Sequence, residues 1–246
     1  MHHLITEVQS LGIQVHEDIT GRKGGAGPAE GRAFILNGVP VTIPIAASYV
    51  SSSPFTLEET KSEYYLLKNG KPVSTIKVVP EPKFYSKTTK DGISYRQIAL
   101  LHGKDCLATT VLQKCVHWKH SKKCSFCATE ASLSHGQTIA KKTPDQLALV
   151  AKAARDMDGV THMVLTSGTG DPPGSEILYL AQCARAIKAG ANIPIQVQIA
   201  PPKDLGLIDE LKDAGVESIG IHIESFDADI LSKVAPSKAK IGLNHY

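Results

Sequence analysis

Leu107-Ala-Thr-Thr-Val-Leu-Gln-Lys-Cys115-Val-His-Trp-Lys-His-Ser-Lys-Lys-Cys124-Ser-Phe-Cys127 opens as an apolar run and ends in three thiols. β-Branched residues over Leu107 to Gln113 predict a strand, and a thiol cluster directly after its carboxyl end predicts a metal site on a strand-following loop. Cys124 and Cys127 form a chelating pair at x2 spacing, and Cys115 lies x8 upstream. A closed structural zinc site takes four protein ligands, whereas an iron-sulfur cluster on three thiolates keeps one iron open to a further ligand. The remaining two of the five cysteines read differently. On an extended strand Cys106 and Cys115 stand roughly 30 Å apart at about 3.3 Å per residue. Cys183 falls within the helical pattern Ile177 to Ile187, as a small buried apolar residue.

Outward from this stretch the pattern becomes strand, helix, strand, helix. Further strands are expected at His162 to Thr166, Ile195 to Ile199 and Ser218 to Ile223. Thr143-Pro144-Asp-Gln reads as an N-cap with proline at the first helical position, opening a helix to about Met157. Ser175 is expected to cap the next helix. Pro201-Pro202-Lys-Asp is expected to begin a third, ending at Ala214-Gly215. Four successive βα units predict an α/β fold with a parallel sheet, a partial (βα) barrel, and parallel barrels gather active-site groups on the loops after their strands. That rule collects the cysteine loop, Ser167-Gly168-Thr169-Gly170-Asp171, Gln198, His222 and Glu224 on one face. Ser167 to Asp171 offers small residues and backbone amides for the polar head of a ligand. His222 and Glu224, two apart, would share a face of the fourth strand.

The first hundred residues read as β-rich. Asn37-Gly38 and Asn69-Gly70 each sit between apolar runs, the signature of a two-residue type I′ hairpin, and Asp91-Gly92 suggests a third turn. The division expected is residues 1–100 as a β-rich region and 101–246 as the βα core, truncated at its carboxyl end. Gly21 to Arg32 is glycine-rich but lacks Gly-Lys-Ser/Thr and a preceding apolar strand, so it reads as a turn rather than a phosphate loop.

Composition bounds the partners. The 246 residues are 42% hydrophobic with a net charge of +3, enough for a large core and too little charge to imply nucleic acid. No apolar run long enough to span a bilayer and no secretion-signal core occur, so no membrane is expected and a cytoplasmic location is. Lys114, Lys119, Lys122 and Lys123, with His117 and His120, crowd the cysteine segment; they read as a solvated basic loop or as cations offsetting a thiolate-bound cluster.

These residues resemble the radical S-adenosylmethionine (SAM) superfamily, whose three-cysteine motif ends in Cys-x-aromatic-Cys, as Cys124-Ser-Phe126-Cys127 does, and whose second strand is followed by a small-residue turn similar to Ser167 to Asp171. Gly24 to Arg32, Leu100 to Ala108 and Gly220 to Asp227 are more closely similar to the radical SAM proteins of nitrilase-linked bacterial gene clusters. The resemblance implies a 4Fe-4S cluster on Cys115, Cys124 and Cys127, with SAM on the open iron. It also implies Phe126 near the adenine, the backbone of Ser167, Gly168, Thr169 and Gly170 at the methionine amino group, and Glu224 at the ribose; Gln198 and His222 join them as cofactor-binding residues on the same face. The implied activity is reductive cleavage of SAM to a 5′-deoxyadenosyl radical that abstracts hydrogen from a small-molecule substrate, in nitrile or nitrogen metabolism. A reductant protein such as a flavodoxin or ferredoxin would supply the electron.

Two departures shape the expectation. The superfamily spacing is x3, not x8, and His120 stands where x3 would place a cysteine. Two ligand sets follow, three thiolates on a lengthened loop or His120 in place of Cys115; thiolates are favoured because imidazole ligation is the exception. The superfamily barrel also has six βα units where four are counted, so the chain is expected to be a fragment or to need a protein partner to complete the barrel. Two other classes remain open: a structural zinc protein using the three cysteines with His117 or His120, and a non-catalytic partial-barrel subunit.

Overall fold

In the computed structural model, residues 2–16, 18–21, 31–60, 63–119 and 122–246 are described. The chain divides into two compact units, residues 1–81 with 102–104 and residues 82–101 with 105–246.

The first unit opens with α1 (His2–Leu11) and continues as β1 (Gly31–Leu36), β2 (Val39–Pro44), β3 (Phe55–Glu59), β4 (Tyr64–Lys68) and β5 (Lys71–Val78). The strands form one antiparallel sheet in the order β2-β1-β5-β4-β3. Both Asn-Gly pairs turn hairpins as expected. Asn37 and Gly38 have φ of 52° and 80°, Asn69 and Gly70 of 52° and 76°, the left-handed pair a type I′ turn requires. Alternate strand residues Phe34, Leu36, Phe55, Leu57 and Leu66 bury on one face and join Val8 and Ile13 in a single core. Of the glycine-rich stretch, residues 22–30 lie outside the described residues.

The second unit contains α2 (Tyr95–Ile98), β6 (Leu100–His102, whose last residue belongs to the first unit), β7 (Cys106–Thr110), α3 (Val116–Lys119), α4 (Thr129–Ser134), α5 (Pro144–Asp158), β8 (His162–Thr166), α6 (Ser175–Gly190), β9 (Ile195–Ile199), α7 (Gly206–Asp213), β10 (Ser218–Ile221), α8 (Ala228–Val234) and α9 (Pro236–Ala239). Its sheet runs β10-β9-β8-β7-β6, with β7 to β10 parallel and in register, from Cys106 against His162 through Ile221 against Ile199. The fold is α/β, and the expected parallel order of four βα units holds. Leu107, Met163, Leu165, Ile195 and Val197 bury completely or nearly so beneath Leu147, Val150, Ala154, Leu180 and Ala184 of α5 and α6. α5 carries the expected cap. Thr143 accepts from the Gln146 amide at 3.2 Å and the Gln146 side chain accepts from the Thr143 amide at 2.9 Å.

Several boundaries differ from expectation. β7 stops at Thr110, three residues short; the Val111 amide still donates to Thr166 O at 2.7 Å, and Leu112 beyond it bridges Lys141. Gly174, at φ 100°, caps α6, and Ser175 is already helical. α7 starts at Gly206 rather than beside Pro201-Pro202, since two prolines in succession bar the first from a helical conformation. Asp91-Gly92 turns, with Gly92 at φ 82°, but only an isolated Thr88 to Ser94 bridge flanks it, so no third hairpin of strands forms. Among the described residues no helix is long and apolar enough to cross a membrane.

Candidate functional site

The described residues singled out for cofactor or metal lie on the loops after β7, β8 and β10, with Gln198 near the end of β9, and the fold sorts them into three neighbourhoods. The first joins Cys115 to the turn after β8. The Gly168 amide donates to Leu112 O at 2.8 Å and the Val116 amide to Thr169 O at 3.0 Å. These two bonds dock the cysteine loop against the β8 turn where β7 has let it go. A Cβ at Gly168 would stand 2.4 Å from the Lys114 carbonyl oxygen and 3.1 Å from Cys115 Cα, so glycine is what permits the approach. The amides at Gly168 and Gly170 are not free for a ligand: Gly170 N-H donates to Glu176 Oε2 at 3.1 Å, which also accepts from Gly174 at 2.8 Å. Ser167 Oγ donates to the Gly168 carbonyl at 2.8 Å. Of the amides expected to receive a ligand, Gly168 is thus engaged by Leu112 O and Gly170 by a carboxylate from the first turn of α6.

The second neighbourhood holds the thiol pair. Cys124 and Cys127 close a tight turn through Cys127 N-H to Cys124 O at 3.1 Å. The Ser125 amide donates to Val234 O at 2.8 Å, fastening the turn to the end of α8. Phe126 is 57% exposed. Cys127 Sγ lies 3.0 Å from Thr129 Oγ1. Burial pushes the Cys124 thiol up; the Lys238 ammonium opposes that shift, as does a hydrogen bond with Ser237, while Cys127 and Glu224 reinforce it. Lys238 pairs with the Glu224 carboxylate and donates to His222 O at 2.9 Å. Tyr246 adjoins the same groups. Its phenol is pushed up by burial and then by Glu224 and Cys124, and its hydroxyl is buried with no hydrogen-bond partner among the described residues.

The third neighbourhood is the end of β9 and β10. Gly220 is opposite Gln198 in the parallel register, and a Cβ there would meet Gln198 Cγ at 3.4 Å and His222 Nε2 at 3.8 Å. His222 therefore stays with Gln198. Glu224 does not share a strand face with it: β10 ends at Ile221, and Glu224 takes φ 69°, which breaks the alternation and turns its carboxylate toward Lys238 and Cys124.

The other cysteines stand apart, as expected. Cys106 opens β7, and burial followed by Asp105 raises its thiol. Cys183 is fully buried in α6 and pushed up to about 12 by burial.

Free, half-buried thiols are the donor chemistry that an iron-sulfur cluster uses, and Cys115, Cys124 and Cys127 have that character. The donor set fits such a group, yet the described residues do not gather it: no three His, Cys, Asp or Glu side chains stand together to hold a metal ion. Cys115 sits with the β8 turn and the pair with residues 224–238. His120, the alternative ligand, lies outside the described residues.

Sequence reasoning missed three residues that organise these loops: Glu176, Lys238 and Lys142. Glu176 had a readable signal, an acid in the first turn of a helix after glycine. Lys142 had none, since a Lys-Lys pair reads as surface. Instead its side chain is 1% exposed, and its ammonium donates to Thr110 O at 2.7 Å, Gln113 Oε1 at 3.0 Å and Thr138 Oγ1 at 2.5 Å.

Comparison with known proteins matches residues 121–240 to the Radical SAM superfamily model. Cys124, Cys127, the 167–170 turn, Gln198, His222 and Glu224 fall inside that span; Cys115 precedes it. The biotin synthase of Pelobacter propionicus is 28% identical over 111 residues, 43% of this chain and 32% of that protein, so the chain spans about a third of the length of the curated relative it matches. The crystal structure of methylornithine synthase (PylB) is similar at 13% identity and a TM-score of 0.44, covering 66% of this chain and 49% of that one.

Proposed function

From a chain that carries a Radical SAM superfamily domain over residues 121–240, we propose a radical SAM enzyme that binds a 4Fe-4S cluster through Cys115, Cys124 and Cys127 and SAM beside it. The observation that supports this best is the Cys124 to Cys127 turn, two free thiols closed by one amide bond inside the matched domain. When bound, the cluster and SAM supply one-electron chemistry that generates a 5′-deoxyadenosyl radical to take hydrogen from a small substrate.

The chain's own residues have definable tasks in this reading. Cys124 and Cys127 hold the cluster, with Cys115 as the third thiolate. Lys238 offsets thiolate charge at Cys124. Glu224 exchanges its Lys238 partner for the ribose hydroxyls. Phe126 offers its exposed ring to the adenine, and the carbonyls of the 167–170 turn face the methionine amino group. Gln198 and His222 bind the cofactor from the end of β9 and β10. A reductant protein such as a flavodoxin or ferredoxin delivers the electron, and a substrate of nitrile or nitrogen metabolism follows from the resemblance alone. The outer edge of β10 is where a partner would complete the barrel.

The test is iron and sulfide content with an absorption spectrum on protein reconstituted without oxygen. About four irons and four sulfides per chain are expected, lost in Cys124→Ala and Cys127→Ala. SAM cleavage by the reduced protein is the second measurement. Zinc instead of iron, or no metal after reconstitution, would remove the reading.

A further inference from the structure

The buried lysine is the origin of a path of hydrogen bonds that crosses Thr129 from its carbonyl to its hydroxyl and ends on a thiol. Lys142 Nζ donates to Gln113 Oε1 at 3.0 Å; Gln113 Nε2 donates to the Thr129 carbonyl at 2.8 Å; Thr129 Oγ1 lies 3.0 Å from Cys127 Sγ. Gln113 is 2% exposed, so its link to Lys142 is shielded from water, while the two links beyond it are partly buried. Backbone bonds bracket the same path: the Lys142 amide donates to Val111 O at 3.0 Å and the Gln113 amide to Ala140 O at 2.9 Å. Every acceptor of Lys142 is neutral. A buried lysine without a carboxylate partner is expensive, and a hydrophobic residue would fill its volume more cheaply.

We propose that Lys142 is a positioning residue that acts through Gln113 and Thr129 to set the orientation and hydrogen bonding of Cys127. The side chain of Lys142 ties together three points around the end of β7: Thr110 O at the strand's last residue, Gln113 on the loop toward the cysteines, and Thr138 on the return to α5. Gln113 then passes this anchorage to Thr129, the first residue of α4 and the one whose hydroxyl meets Cys127. The significance of the relay as a support for a metal-binding thiolate rests on the function proposed above; the relay itself does not.

The test measures the alkylation rate of each cysteine by peptide mapping in the full-length, metal-free chain, with Cys106 as internal reference, for Lys142→Met, Gln113→Glu, Thr129→Val and the double variant Lys142→Met/Thr129→Val. Gln113→Glu is the discriminating change. It keeps an acceptor for Lys142, and adds an ion pair, but removes the donor to Thr129. The expected result is a shift of roughly fivefold or more at Cys127 in each single variant, on the scale of one hydrogen bond, with Cys106 unchanged and the double variant no further shifted than the singles. An unchanged Cys127, a parallel change at all thiols, or additive effects in the double variant would overturn the proposal. Should Lys142→Met fail to fold, Gln113→Glu and Thr129→Val with their double variant decide the same question. Iron content of the reconstituted wild type is measured alongside. Its absence would defeat the cluster reading while leaving the alkylation result to judge the relay.

Discussion

Lys142 sets a residue-scale property that can be measured in the whole protein. Burial lowers its pKa to about 7 from an ordinary 10.5, so between these values the unfolded chain binds the proton that the folded chain releases. Stability therefore rises with pH across that window, is complete above about 10.5, and is lost as pH falls to about 7, below which the contribution is flat. The three acceptors of Lys142, Thr110 O, Gln113 Oε1 and Thr138 Oγ1, are all neutral, so no carboxylate opposes the effect of burial. Urea unfolding at pH 7 and pH 9 is expected to show a gain of about 2 kcal/mol in the wild type, and Lys142→Met is expected to lose that pH dependence. A wild-type curve with no such rise, or the same rise in the variant, would place the proton elsewhere. None of this was legible in the sequence. A Lys-Lys pair before an N-cap carries no mark of which lysine turns inward; only the early end of β7 makes a pocket for one of them.

At the scale of elements, the hairpins, all four parallel strands within three residues, and the capped start of α5 were legible because each depends on neighbours in sequence. Asn-Gly supplies left-handed φ locally, and Thr-Pro-Asp-Gln closes its capping box within one turn. The starts of α6 and α7 were misread where glycine or paired prolines competed with a nearby capping residue. The Ser167 to Asp171 loop shows the other side of this limit. Its small residues were recognised, but the Gly170 amide is taken by Glu176 and the Gly168 amide by Leu112 O, consequences of where α6 and the cysteine loop dock. Glu176→Ala strands two amide donors and is expected to lower stability by about 2 kcal/mol, with amide exchange accelerating most at Gly170 and Gly174; Glu176→Gln, which keeps an acceptor, is expected to recover much of it. Exchange that accelerates uniformly through α6 instead would show that the carboxylate supports the helix rather than the loop.

At the scale of the molecule, two compact units each enclose an apolar cluster of their own. Phe34 is fully buried in the first, and Phe34→Ala is expected to destabilise that unit by about 3–5 kcal/mol. Hydrogen exchange should then quicken across β1 to β5 well before β7 to β10. Equal acceleration in both sheets would show that they unfold as one. The order of strands and the thiol pair in its turn were determined by the sequence alone, because hydrophobic period, turn residues and x2 spacing act over a few bonds. The tertiary structure decided which functional residues meet. It placed Cys115 against Gly168, drew Glu224 to Lys238 and Cys124 by ending β10 at Ile221, and buried Lys142 behind Gln113. Those outcomes depend on where one strand stops and another segment packs, and such long-range contacts leave no local pattern to read.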